Sequence, residues 1–136
     1  MEYSKKDLAK IQLEKAIELF LKNKDYVSSI TLAGASEEIT RCVLERKGMK
    51  PSITKLKEWF DSTYPDAEIP GPFYKEANLT RNNLKHFTDP NEDMVEVSEK
   101  EAVFWLGRAI MNYDWAYSGL SDIMKGYVSW WKEKYA

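Results

Sequence analysis

Apolar side chains recur at the i, i+3, i+4, i+7 spacing of an amphipathic helix along most of the chain, and no segment carries a convincing strand pattern. Leu13, Ala16, Ile17 and Phe20 form the first stripe, behind a Ser4-Lys5-Lys6-Asp7 segment that reads as a capping box. Asp25 is placed to cap a second helix ending near Gly48, with Leu32, Ala35, Ile39, Cys42 and Val43 as its apolar stripe. The chain restarts at Pro51-Ser52, and Ile53, Leu56, Trp59 and Phe60 mark a short third helix. Pro65, Pro70, Gly71 and Pro72 make the clearest loop. A fourth helix is expected over 73–86, followed by a polar, acidic loop over 88–97 that contains Pro90. Ser98-x-x-Glu101 is another capping box, and Ala102, Leu106, Ala109, Ile110 and Tyr113 stripe the helix behind it, which Gly119 breaks or bends. Ile123, Met124, Tyr127, Val128 and Trp131 belong to a last helix. The pattern predicts an all-α fold: one domain over 1–136, an up-and-down bundle of five to six helices, the longest near 5–24, 26–47 and 99–118.

Composition agrees with a self-sufficient core. The 136 residues are 43% hydrophobic and 13% aromatic, enough to bury a core without metal or disulfide support. The single cysteine, Cys42, allows no internal disulfide, so nothing points to secretion. The N-terminal charges have no apolar run behind them, as a signal peptide would, and no stretch approaches the roughly 18 apolar residues of a membrane span. A cytoplasmic location is expected. The net charge of −2 hides an asymmetry: 12 basic against 8 acidic residues over 1–57, then 8 against 14 over 58–136. Asp89, Glu92, Asp93, Glu96, Glu99 and Glu101 crowd one segment. Broad phosphate contact is therefore not expected, and any nucleic-acid contact must be local.

One histidine, His86, narrows the chemistry further. A dimetal site of the Glu-x-x-His kind needs two histidines, and position 83 is Asn. One Cys and one His far apart do not make a zinc site, so neither metal nor cofactor is expected. There is no Gly-rich phosphate loop and no GxSxG. What remains is Leu79-Thr80-Arg81-Asn82-Asn83-Leu84-Lys85-His86, a cationic helix end. Asn82 and His86 share one helix face, and Arg81 and Lys85 the neighbouring one. Arg81 and His86 lie about 140° apart on an ideal helix. They converge on one ligand if the helix ends near His86, as Phe87-Thr88-Asp89-Pro90 suggests, or if two copies of the helix meet. A phosphate there finds Arg for fixed charge, His for proton transfer and Asn as an orienting group. The plainer account is a histidine favoured by the helix dipole beside solvated charges.

Arg81-Asn82-x-x-x-His86, on a late helix of a small bundle, resembles the HEPN superfamily (higher eukaryotes and prokaryotes nucleotide-binding). The segment Ile30-Thr31-Leu32-Ala33-Gly34-Ala35-Ser36-Glu37-Glu38-Ile39 looks like the small-residue, paired-glutamate helix of HEPN-like microbial proteins. The likeness covers about residues 7–118. It implies a helical homodimer that brings two Arg-Asn-x-x-x-His motifs into one cleft. In active members that cleft is a metal-independent endoribonuclease, with His as general acid/base and Arg stabilising the phosphorane. Many members are toxins paired with an antitoxin protein, whereas others have no known activity, so the alternative is a catalytically silent module that binds a nucleotide or a partner protein. Glu37 and Glu38 are either a solvated pair or include an ion-pair partner that orients Arg81. Trp105, Trp115, Trp130 and Trp131, with Tyr113, Tyr117 and Tyr127, sit at core-like spacing, which favours packing or a dimer interface over base stacking.

Overall fold

A computed structural model describes residues 1–68 and 72–136, so the expected loop at Pro70 and Gly71 lies outside the described residues. The described residues are helical and contain no strand. The helices are α1 (Lys5–Asn23), α2 (Tyr26–Arg46), α3 (Ser52–Thr63), α4 (Phe73–Ala77), α5 (Leu79–Lys85), α6 (Glu99–Tyr117) and α7 (Asp122–Tyr135). None is long and apolar enough to cross a membrane.

The helix starts are written locally. The Ser4 and Asp25 side chains accept from the amides of Asp7 and Ser28, satisfying donors that the first turn leaves unpaired. At Ser98 both halves of the capping box form: Ser98 Oγ accepts from the Glu101 amide, and Glu101 Oε2 accepts from the Ser98 amide. Helix α3 has no side-chain cap of its own, since Pro51 precedes it. Its first amide, Ser52 N–H, instead donates to Asn112 Oδ1 of α6 at 2.8 Å, and Ser52 Oγ donates to the Arg108 carbonyl at 3.1 Å. That arrangement fastens the start of α3 to the middle of α6.

The core is a three-helix packing of α1, α2 and α6, with α7 closing one end. Leu13, Ile17 and Phe20 of α1 share one buried cluster with Trp105, Leu106, Ile110 and Tyr113 of α6. Phe20 packs edge-on against Tyr127 and Trp130 of α7. The expected stripes on α1 and α6 are the buried ones. The expected stripe on α2 is not: Leu32, Ala35, Ile39, Cys42 and Val43 are half-buried, and the inward face carries Ser29, Ile30, Ala33, Ser36, Glu37, Thr40 and Leu44. The physical reason is that α2 lies close to α1 through small residues whose hydroxyls are fully used. Ser29 Oγ donates to the Ala16 carbonyl at 2.9 Å and Ser36 Oγ to the Ala9 carbonyl at 2.8 Å. A buried hydroxyl with a partner carries little penalty, so a polar stripe can serve as the inner face.

Among the described residues there are seven helices rather than five to six, because the expected helix over 73–86 is broken at Asn78. Asn78 takes φ −100° and ψ −1°, and its Oδ1 and the Ala77 carbonyl both receive hydrogen bonds from the Arg108 guanidinium, at 2.8 and 3.4 Å. A buried cation thus takes acceptors at the point where a continuous helix would have run on. The later break is where Gly119 suggests: Ser118 is left-handed at φ 56° and Gly119 follows at φ 153°.

Candidate functional site

The motif helix α5 is short, and three contacts hold it. Leu84 packs on the core, Thr80 Oγ1 donates to Glu101 Oε1 at 3.0 Å, and Arg81 pairs with Glu38. Arg81 and Asn82 then line a polar cleft of about 400 Å³ between α2, α5 and α6. Glu37, Glu38, Arg41 and Glu45 enter it from α2, and Arg108 and Trp105 from α6.

Two ion pairs of different character organise the cleft. Arg108 and Glu37 are both buried, with Nη2 at 3.0 Å from Oε1. The Arg108 guanidinium also lies over the Trp105 ring, 4.0 Å from its centroid. Burial pulls the Arg108 guanidinium below its ordinary range, and Glu37 opposes that pull. Its Nε has no partner among the described residues. Arg81 and Glu38 form the outer pair, 3.1 Å apart, with Arg81 mostly shielded and Glu38 52% exposed. Arg41 lies 3.9 Å from Glu37 of the inner pair and 3.4 Å from Glu45. Desolvation works against its charge, but these two carboxylates outweigh it and hold the group above its usual range.

Within the small-residue run of α2, Gly34 makes room for Arg81. A Cβ there would overlap the Cδ and Nε of Arg81. The glycine lets the arginine lie flat on α2 with its guanidinium at Glu38. Gly34→Ala is therefore expected to keep the fold, since alanine is the better helix former by about 1 kcal/mol, while expelling Arg81 from its place. If the cleft takes phosphate, as the resemblance implies, its affinity should fall by roughly tenfold or more, the scale of losing a charge-assisted hydrogen bond. Circular dichroism and a titration with inorganic pyrophosphate check both halves. Unchanged pyrophosphate affinity would show that Arg81 needs no such seat.

The remaining sequence candidates are placed differently. Both glutamates are used: Glu38 meets Arg81, while Glu37 turns inward to Arg108. His86 is not among the residues lining the cleft. It caps α5 in an extended conformation, is exposed, and engages through its backbone N–H, which donates to the Asn82 carbonyl at 3.0 Å. Lys85 is exposed beside it. One chain therefore brings together Arg81, Asn82, Glu37 and Glu38, and leaves His86 and Lys85 outside. Trp105 is buried beneath two arginines, with Arg81 5.9 Å from its centroid, so it is packing rather than a stacking surface. Arg41 and Arg108 escaped the sequence reading. Arg108 had a signal, a single charge inside Trp105-Leu106-Gly107-Arg108-Ala109-Ile110, which must be buried and so must have a partner. Among the described residues no group of His, Cys, Asp and Glu is arranged to hold a metal ion. The chain matches no family model, no curated protein and no solved structure at significant similarity.

Proposed function

We propose that this chain is a HEPN-like protein that acts on RNA phosphate, as a dimeric, metal-independent endoribonuclease of the toxin or defence kind. The observation that carries the reading is the seating of Arg81: an arginine fixed by Glu38 and Gly34 at the wall of a cleft, with Asn82 beside it. A planar fork held in one orientation suits a phosphate better than a free surface arginine does. In the reaction, a His86 brought to the cleft by dimerisation removes the proton of a ribose 2′-OH, the O2′–P bond forms, and the P–O5′ bond breaks. The departing 5′ oxygen takes a proton from a second acid, while Arg81 balances the charge on phosphorus. A base and an acid are needed at once, and the chain has one histidine. Two copies supply two imidazoles, and the exposed position of His86 leaves it accessible to a partner. Trp131, 40% exposed on α7, is a candidate contributor to the contact between copies.

The products should carry 2′,3′-cyclic phosphate and 5′-hydroxyl ends, read by end-group analysis of cut RNA. Light scattering should give a dimer at micromolar concentration, and a clean monomer there would remove the composite site. A second reading has its own observation. The cleft holds three arginines against Glu37, Glu38 and Glu45, so its charge is already balanced. That suits a catalytically silent module that binds a nucleotide or a partner protein such as an antitoxin.

A further inference from the structure

Three of the exposed aromatic side chains are neighbours on one surface. Trp59, Tyr64 and Tyr74 are 54%, 51% and 42% exposed, and Phe60 and Phe73 lie half-buried between them. Neighbouring rings form a continuous row: Tyr74 to Phe73 at 5.6 Å, Phe73 to Phe60 at 6.1 Å, Phe60 to Tyr64 at 5.6 Å and Tyr64 to Trp59 at 5.9 Å. The row starts inside the polar cleft, because Tyr74 lines it together with Arg81 and Asn82. From there it runs outward over α4 and the end of α3.

Large rings left in water call for an account, since burying them would stabilise the fold. We propose that this row is a base-stacking platform for single-stranded RNA, continuing the path of a strand whose phosphate sits in the cleft. The proposal rests on the RNA-phosphate reading of the cleft and extends it from phosphate to base. Stacking on aromatic faces tolerates any sequence, because every base has a π-face, and it complements arginines that hold the backbone. The most exposed members also keep polar edges, the hydroxyls of Tyr64 and Tyr74 and the indole N–H of Trp59, which suit a wet surface. A protein partner has a better seat elsewhere. The groove between α6 and α7, lined by Val103, Ile110, Met111, Val128 and Trp131, is almost wholly apolar.

The test compares two probes, a short 2′-O-methyl oligouridylate that resists cleavage and an abasic strand with the same number of phosphates. The wild-type protein should bind the base-bearing strand more tightly. The double variant Trp59→Ala, Tyr64→Ala should lose roughly ten- to a hundredfold in affinity for that strand and leave the abasic strand unaffected. Trp59→Phe with Tyr64→Phe should retain most of the preference, and Arg81→Ala should weaken both probes. Equal binding of the base-bearing strand by wild type and the alanine double variant, with Arg81→Ala still harmful, would overturn the platform and leave the cleft reading standing. No binding of either probe by the wild-type protein would overturn both. If the double variant instead turns a dimer into a monomer in light scattering, the row is a protein contact and the proposal fails.

Discussion

Glu37→Leu is expected to destabilise the protein by about 3–5 kcal/mol, the scale of stranding one member of a buried ion pair. Glu37 is 2% and Arg108 4% exposed, and the leucine would leave the guanidinium with Asn78, the Ala77 carbonyl and the Trp105 and Phe104 rings, but no carboxylate within salt-bridge distance among the described residues. A loss of that size is a large share of the stability of an ordinary domain, about 5–15 kcal/mol. Urea unfolding should show a lowered midpoint with an unchanged slope. Removing both charges, as in Glu37→Leu with Arg108→Met, should recover most of the loss, because an apolar pair of similar volume needs no desolvation of ions. A single variant within about 1 kcal/mol of wild type would mean that Arg108 is not held by Glu37.

The largest effect on function is expected at His86. His86→Ala should reduce RNA cleavage by roughly 10²–10⁴-fold, the usual contribution of a positioned acid or base. The fold should be untouched, since the imidazole is exposed and only the backbone of His86 is engaged among the described residues. Arg81 is a different case. Arg81→Lys removes the planar fork, and it also gives up the Glu38 pair and the seat on Gly34. Its melting temperature must therefore be read beside its rate. Asn82→Ala should cost less than either, because an orienting hydrogen bond contributes about 0.5–1.5 kcal/mol. A His86→Ala protein that cuts at the wild-type rate would take the histidine out of the chemistry.

What could be read in advance was whatever is written locally. The Ser98–Glu101 box, the Asp25 cap and the stripes of α1 and α6 depend on residues three or four apart, and the sequence displays them directly. The inner face of α2 could not be recognised by hydrophobicity, because Ser29, Ser36 and Thr40 are buried through bonds to carbonyls, two of them on α1. The break at Asn78 depends on Arg108, 30 residues away. The same holds at the site. Arg81 and Asn82 stood out through the Arg-Asn-x-x-x-His pattern, but which glutamate meets which arginine depends on the register of α2 against α5 and α6. The aromatic row was hidden because Phe60 and Tyr74 lie on separate elements.

The central claim is tested most directly by incubating the purified protein with mixed cellular RNA in excess EDTA, beside the His86→Ala variant. The account predicts that cutting persists in the chelator and disappears in the variant. Absent cutting, or cutting that the variant performs equally well, would contradict it and leave a binding module built on the same arginine cleft.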